Sequence, residues 1–514
     1  MANLADGGAG ARAALAKAAA SPVNRAGRQV DRDRRGADAP PSTFPSRTRS
    51  ASMPAKPISR RRFLGSSLGS SVAISLFDIS RPSAHAGPAP DADGFFVLEA
   101  RPGTLRLLPE PAAETPVWTY DGEVPGPLLR YKKGEEVKVR LVNRLTQPTS
   151  LAWPGVRIAN EMDGVGALTQ APVEPGASFD YRFTPPDSGL FSYRPGGSPF
   201  AAEQLAHGLY GALIVEEPNP PQVDRDMLAI VADWRLNKEG EIDADFGAEA
   251  GDRALVTLNS KPVPVVETMA PGARIRLRLI SAANARIMSL SLEGAKPWVL
   301  AVDGQPADSA FEPARATFPV GPGARFDMMF DLPREAGGEA RLVLNGENEP
   351  DCALIAFVTA GEARPALPAI ASLEHNPLLP TAIRLQDAKR IELVVAPAKD
   401  ASAPGHPVLW TINGAAAEAL SGKPLFSVKR GSPVTLAIVN RSAVIQQIHV
   451  HGHVMRLLHD LDDGWEPYWR DSVLIAPGRT KHVAFIANNP GKWAIESLIS
   501  EPRTSGLSTW FLVT

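Results

Sequence analysis

The sequence predicts an all-β chain built as three consecutive β-sandwich domains. Three observations carry this reading. One segment pattern recurs three times, 49 prolines and 43 glycines punctuate the 514 residues, and many of the runs between them alternate apolar and polar side chains. Period-two alternation is what a strand with one buried face requires.

At each recurrence a turn leads to a glycine that opens an alternating run closing on Asn or Ser. The turn at 118–127 leads into 134–143, that at 258–262 into 272–281, and that at 410–414 into 431–440. Each run is expected to be a half-buried strand of a sandwich. The opening glycines, Gly134, Gly272 and Gly431, stand about one sandwich domain apart.

Taken in order, residues 1–52 are rich in Ala, Arg, Ser and Pro without apolar periodicity. They read as a disordered extension, or as residues ahead of a true start at Met53. Residues 53–86 carry Ser59-Arg60-Arg61-Arg62-Phe63-Leu64, a mildly apolar run to Phe77, and Ala84-His85-Ala86. That layout is a twin-arginine export signal, addressed to the twin-arginine machinery. The mature chain is then expected in a bacterial periplasm from near Gly87. It has no apolar run long enough to anchor it across a bilayer. Domain one is expected over 94–218, domain two over 222–360 and domain three over 385–514. The Pro-rich stretches 216–221 and 361–380 read as stiff connectors.

Net charge is −2, which gives no electrostatic bias toward nucleic acid. The single cysteine, Cys352, excludes an intrachain disulfide and reads as a small buried apolar residue.

The stretch with most chemistry is Ile448-His449-Val450-His451-Gly452-His453. Histidines at every second residue fall on one side of a strand, where imidazoles can converge on copper or zinc. The other reading is a polar strand of hydrogen-bonded histidines, and both stay open on these residues alone.

Together with Pro125-Gly126-Pro127, Met162-Asp163-Gly164-Val165, Asp303-Gly304, Arg325-Phe326-Asp327 and Trp469-Arg470-Asp471-Ser472-Val473, the repeats and the histidine run resemble the three-domain, laccase-like multicopper oxidases. The resemblance implies three cupredoxin-like Greek-key β-sandwich domains. It also implies a three-copper cluster between the first and third domains and a mononuclear copper in the third. The family's ligand motifs fall on Ala152 and Pro154, on Arg194 and Gly196, on Gln446, His449 and His451, and on Glu496, Ser497, Leu498 and Pro502. Only His449 and His451 keep a family ligand; His453 matches a position that is not usually one. Ser497, Gln446 and Pro502 do not supply the thiolate and imidazoles of the mononuclear site. No catalytic residue and no resident cofactor is therefore expected, with at most one weakly held metal at His449 and His451. Arg194 and Glu496 have opposite charge at ligand positions of one cluster. A salt bridge is expected between them, the guanidinium fork standing where metal charge would stand.

The resemblance extends to the copper-less SufI/FtsP-like branch, exported by the twin-arginine route. It implies a non-enzymatic scaffold that binds periplasmic protein partners, the division machinery among them. The alternatives are a copper-dependent, laccase-like oxidoreductase and a single-metal-binding protein.

Overall fold

The computed structural model describes residues 90–197, 200–243, 254–346, 350–398, 410–416, 420, 422–458, 464–499 and 507–514. The expected disordered extension, the export signal and Pro502 lie outside these residues. The described fold is nearly all strand, arranged as three pairs of sheets drawn from 96–216, 225–359 and 389–513. Among the described residues no helix is long and apolar enough to cross a membrane.

Each pair repeats one pairing. Phe96–Leu105 runs parallel to Val137–Asn143, Arg225–Trp234 to Arg274–Ser281, and Lys389–Pro397 to Ser432–Asn440. In the first and third pairs the recurring strand alternates buried and half-buried residues along most of its length, as its period predicts. The second departs from that expectation, because all eight residues of Arg274–Ser281 are buried. It is the central strand of a seven-stranded sheet, and its polar face is covered as well.

Three arginines on that face survive burial only because each meets carboxylates. Arg274 forks onto Asp331 at 2.7 and 2.9 Å, and Arg278 onto Asp226 at 2.8 and 2.9 Å. Arg276 bonds Asp327 and Glu217, each at 2.5 Å. Burial alone would raise the Glu217 pKa, but Arg278 and Arg276 outweigh it and hold the carboxyl down to about 2. A carboxylate whose folded pKa is depressed adds stability above its unfolded pKa, and loses it as pH falls through the folded value. Glu217→Gln is therefore expected to lower unfolding free energy by up to about 3 kcal/mol at neutral pH. Urea unfolding at a series of pH values should show that gap constant above about pH 5 and closing toward pH 2. A gap that stays unchanged to pH 2 would exclude this role.

The apolar interior is not three separate cores. Residues of the first and third pairs form one continuous cluster in which Trp153, Val156 and Ile158 join Ile448, Trp493 and Phe511. The second pair has its own core, and a further cluster around Ile214, Leu228 and Trp234 packs it onto the first. Cys352, expected to be buried, is half-buried at the start of Cys352–Thr359. The sequence misleads there because the strand's apolar run starts at once after it, at Ala353, whereas its buried run begins only at Leu354.

Candidate functional site

The strand Gln446–Val450 is an inner strand of a five-stranded sheet, between Ser472–Ile475 and Gly491–Ser497. Its register sets His449 opposite both Ser472 and Glu496. The strand ends at Val450, and Gly452, at φ +63°, turns the chain away. The three histidines therefore do not share one strand face, contrary to the period-two expectation. Gly452 was the signal for this, since a glycine inside a strand pattern marks a break.

His449 and His451 stay together, ring centroids 4.5 Å apart and edge to face. His453 leaves them for a box of Phe485, Trp493 and Phe511. Its Nδ1 lies 3.0 Å from the His451 carbonyl, and burial pushes its pKa down to about 4. It is a neutral core histidine.

His451 faces acid on both sides. Its Nδ1 lies 3.1 Å from Asp163 Oδ2, and its Nε2 lies 3.1 Å from Glu496 Oε1. Burial opposes charge on the ring, yet the two carboxylates outweigh it and raise the pKa to about 10. Glu496 is correspondingly held down to about 2: burial works against this, and His451 leads the opposing causes. Asp163 comes from the first pair of sheets, 288 residues away in sequence.

Arg194, at the end of Gly189–Tyr193, is buried and bridges antiparallel to Ala152. Its Nη2 lies 3.6 Å from Glu496 Oε1. That is within ion-pairing range and outside hydrogen-bonding range. The expected fork onto the carboxylate is absent: Glu496 spends its closer contact on His451, and Arg194 Nε has no partner.

The other positions are apolar fill. Ala152, Pro154, Gly196 and Leu498 are buried. A Cβ added to Gly196 would come within 2.5 Å of the Ala152 Cβ. Gln446 and Ser497 meet each other, the hydroxyl donating to Gln446 Oε1 at 3.1 Å. His449 Nδ1 donates to the Asp471 carbonyl at 3.0 Å and lies 3.2 Å from that residue's carboxylate. His449 Nε2 is buried with no partner.

Beneath this lies a second group of charges. Arg325 pairs with Asp471, both fully buried. Asp303 Oδ2 accepts from the Asp471 and Ser472 amides at 3.3 and 3.4 Å. A Cβ on Gly155 would fall 2.6 Å from Asp471 Oδ2, so the first pair of sheets abuts this ion pair too. Asp163, Asp303, Arg325 and Asp471 were not singled out by ligand reasoning. The available signal was a charge inside an otherwise apolar strand or turn, where burial demands a partner.

Comparison with known proteins accounts for this arrangement of sheets. The multicopper oxidase pattern matches residues 104–220 and again 391–514. Multicopper oxidase MmcO of Mycobacterium tuberculosis is 29% identical over 88% of this chain and 96% of its own length. Among solved structures, Lac15 from a marine microbial metagenome is 30% identical, covering 81% of this chain and 99% of its own, with a TM-score of 0.67. The multi-copper oxidase of Pseudomonas thermotolerans is 29% identical, covering 82% and 98%, with a TM-score of 0.71. The chain belongs to the multicopper oxidase family.

Multicopper oxidases imply copper, and the residues present do not fit a three-copper centre. Both ring nitrogens of His451 face carboxylates, His449 offers one free nitrogen, and a buried guanidinium stands beside them. A redox copper centre of this kind needs converging neutral imidazoles or thiolates, not a ring already held from both sides. Among the described residues, no group of three His, Cys, Asp or Glu side chains is arranged to hold a metal ion.

Proposed function

We propose that this chain is an exported, non-enzymatic multicopper-oxidase relative. It works in the periplasm by binding protein partners, as the SufI/FtsP-like branch does for cell division. One observation carries the reading: a buried guanidinium, Arg194, lies 3.6 Å from Glu496, and both ring nitrogens of His451 are already engaged by carboxylates. An oxidase cannot pass electrons through a site whose donors are already spent on ion pairs. What remains is a rigid three-sandwich frame whose loops are free to carry recognition.

A second reading has its own support. The relatives that span most of the chain are named multicopper oxidases, and His449 keeps a buried, unpartnered Nε2. On that reading the chain is a copper-dependent oxidoreductase, or holds a single metal at His449 and His451.

Metal analysis of the exported protein, with phenol oxidation in added copper, separates these. The non-enzymatic reading expects less than about 0.1 copper per chain and no turnover above buffer, because a site without convergent ligands binds weakly. Copper near stoichiometry with turnover would overturn it, and one bound metal without turnover would favour the single-metal protein. Cross-linking in periplasm should then capture a defined partner, and its loss from a strain in which the export arginines are replaced would support the address.

A further inference from the structure

We propose that the Arg194 guanidinium is an internal cation doing the work of metal charge: it clasps the first pair of sheets to the third and keeps metal cations out of their interface. This rests on the non-enzymatic reading and deepens it.

Four charged side chains alternate across the interface. Arg194 and Asp163 come from the first pair of sheets, and Glu496 and His451 from the third. Contacts run Arg194 to Glu496 at 3.6 Å, Glu496 to His451 at 3.1 Å, and His451 to Asp163 at 3.1 Å. Two of the three therefore cross between pairs of sheets, and the Arg194 guanidinium and the His451 ring alternate with the two carboxylates. Removing one member of a buried balanced group leaves a charge that water cannot reach, whereas removing an opposite pair leaves none. Apolar side chains close the surroundings: Ala152 and Leu498 are buried, and no atom could be added at Gly196 without striking Ala152. A further cation placed here would meet the Arg194 guanidinium, with Glu496 and Asp163 both already engaged.

The same interface is held elsewhere by neutral contacts, which lets the clasp be tested without dismantling it. Asn160 donates to the Lys492 carbonyl at 2.6 Å, and Asn489 to the Ile158 carbonyl at 2.8 Å. These, with the shared apolar core, should keep the frame assembled when a clasp residue is changed.

The test is a double-mutant cycle on the whole mature chain, Arg194→Met and Glu496→Gln, followed by thermal unfolding in chelator and with one equivalent of copper(II). Each single variant is expected to lower Tm by about 5 °C, from the cost of one uncompensated buried charge. The double variant should lose less than the sum of the two. Copper should leave the Tm of the parent unmoved. It should raise that of Arg194→His, with copper affinity by calorimetric titration increasing at least about tenfold once a ligand replaces the guanidinium.

Additive losses, a Tm for Arg194→Met within about 1 °C of the parent, or parent copper affinity equal to that of Arg194→His would each overturn the clasp. Should Arg194→Met not be recovered folded, Arg194→Gln with Glu496→Gln puts the same question, and non-additivity there supports the same answer. Phenol turnover by the parent would sink the non-enzymatic reading, whereas additivity in the cycle sinks only the clasp.

Discussion

Asp471→Ala is expected to destabilise the protein by about 3–5 kcal/mol, the cost of leaving one partner of a buried ion pair uncompensated. Asp471 is fully buried against Arg325, also fully buried, and Arg325 keeps only the Gly323 and Asp303 carbonyls without it. The carboxylate stays ionised in the fold: burial works against this, but Arg325 and His449 hold its pKa down to about 2. A shift of the urea midpoint at unchanged slope is the readout. Arg325→Met combined with Asp471→Leu should recover much of the loss, because an apolar pair of similar volume needs no counter-charge. A single variant as stable as the parent would show that the pair contributes only geometry.

Gly452→Ala is expected to cost about 4 kcal/mol, from two additive sources. At φ +63° a side chain adds roughly 1–2 kcal/mol of backbone strain. The added Cβ would also fall within 2.5 Å of three carbons of the Trp493 ring, and overpacking typically adds about 1–3 kcal/mol. Trp493 is fully buried and its indole donates to the Asn489 carbonyl at 2.8 Å, so it cannot simply swing aside. Trp493→Phe in the same background should relieve part of the clash, and its failure to do so would assign the whole cost to the backbone. The thermal unfolding midpoint of the two variants decides this.

Much of the architecture was legible because a sandwich strand writes its burial into alternate residues. Val137–Asn143 and Ser432–Asn440 show that period along most of their length. Arg274–Ser281 carried the same alternation yet is buried on both faces, because its arginines find Asp331, Asp327 and Asp226 in other strands. No local pattern announces partners 51 to 57 residues distant.

The site was legible in outline for the same reason. Family motifs locate Arg194 and Glu496, but they do not say that Glu496 turns first to His451. Nor do they reveal that Asp163, from the other end of the chain, takes the remaining ring nitrogen. His453 was misplaced because spacing alone describes a strand, and the strand stops one residue before His451.

The alternating charges between the first and third pairs of sheets also constrain how such a sequence can drift. Any single replacement among Asp163, Arg194, His451 and Glu496 leaves an unbalanced interior, so tolerated changes must arrive in compensating pairs. Arginine at 194 and glutamate at 496 should therefore be gained and given up together across close relatives. A lineage that re-acquired histidines one at a time would pass through poorly folding intermediates, and that barrier works as an evolutionary ratchet.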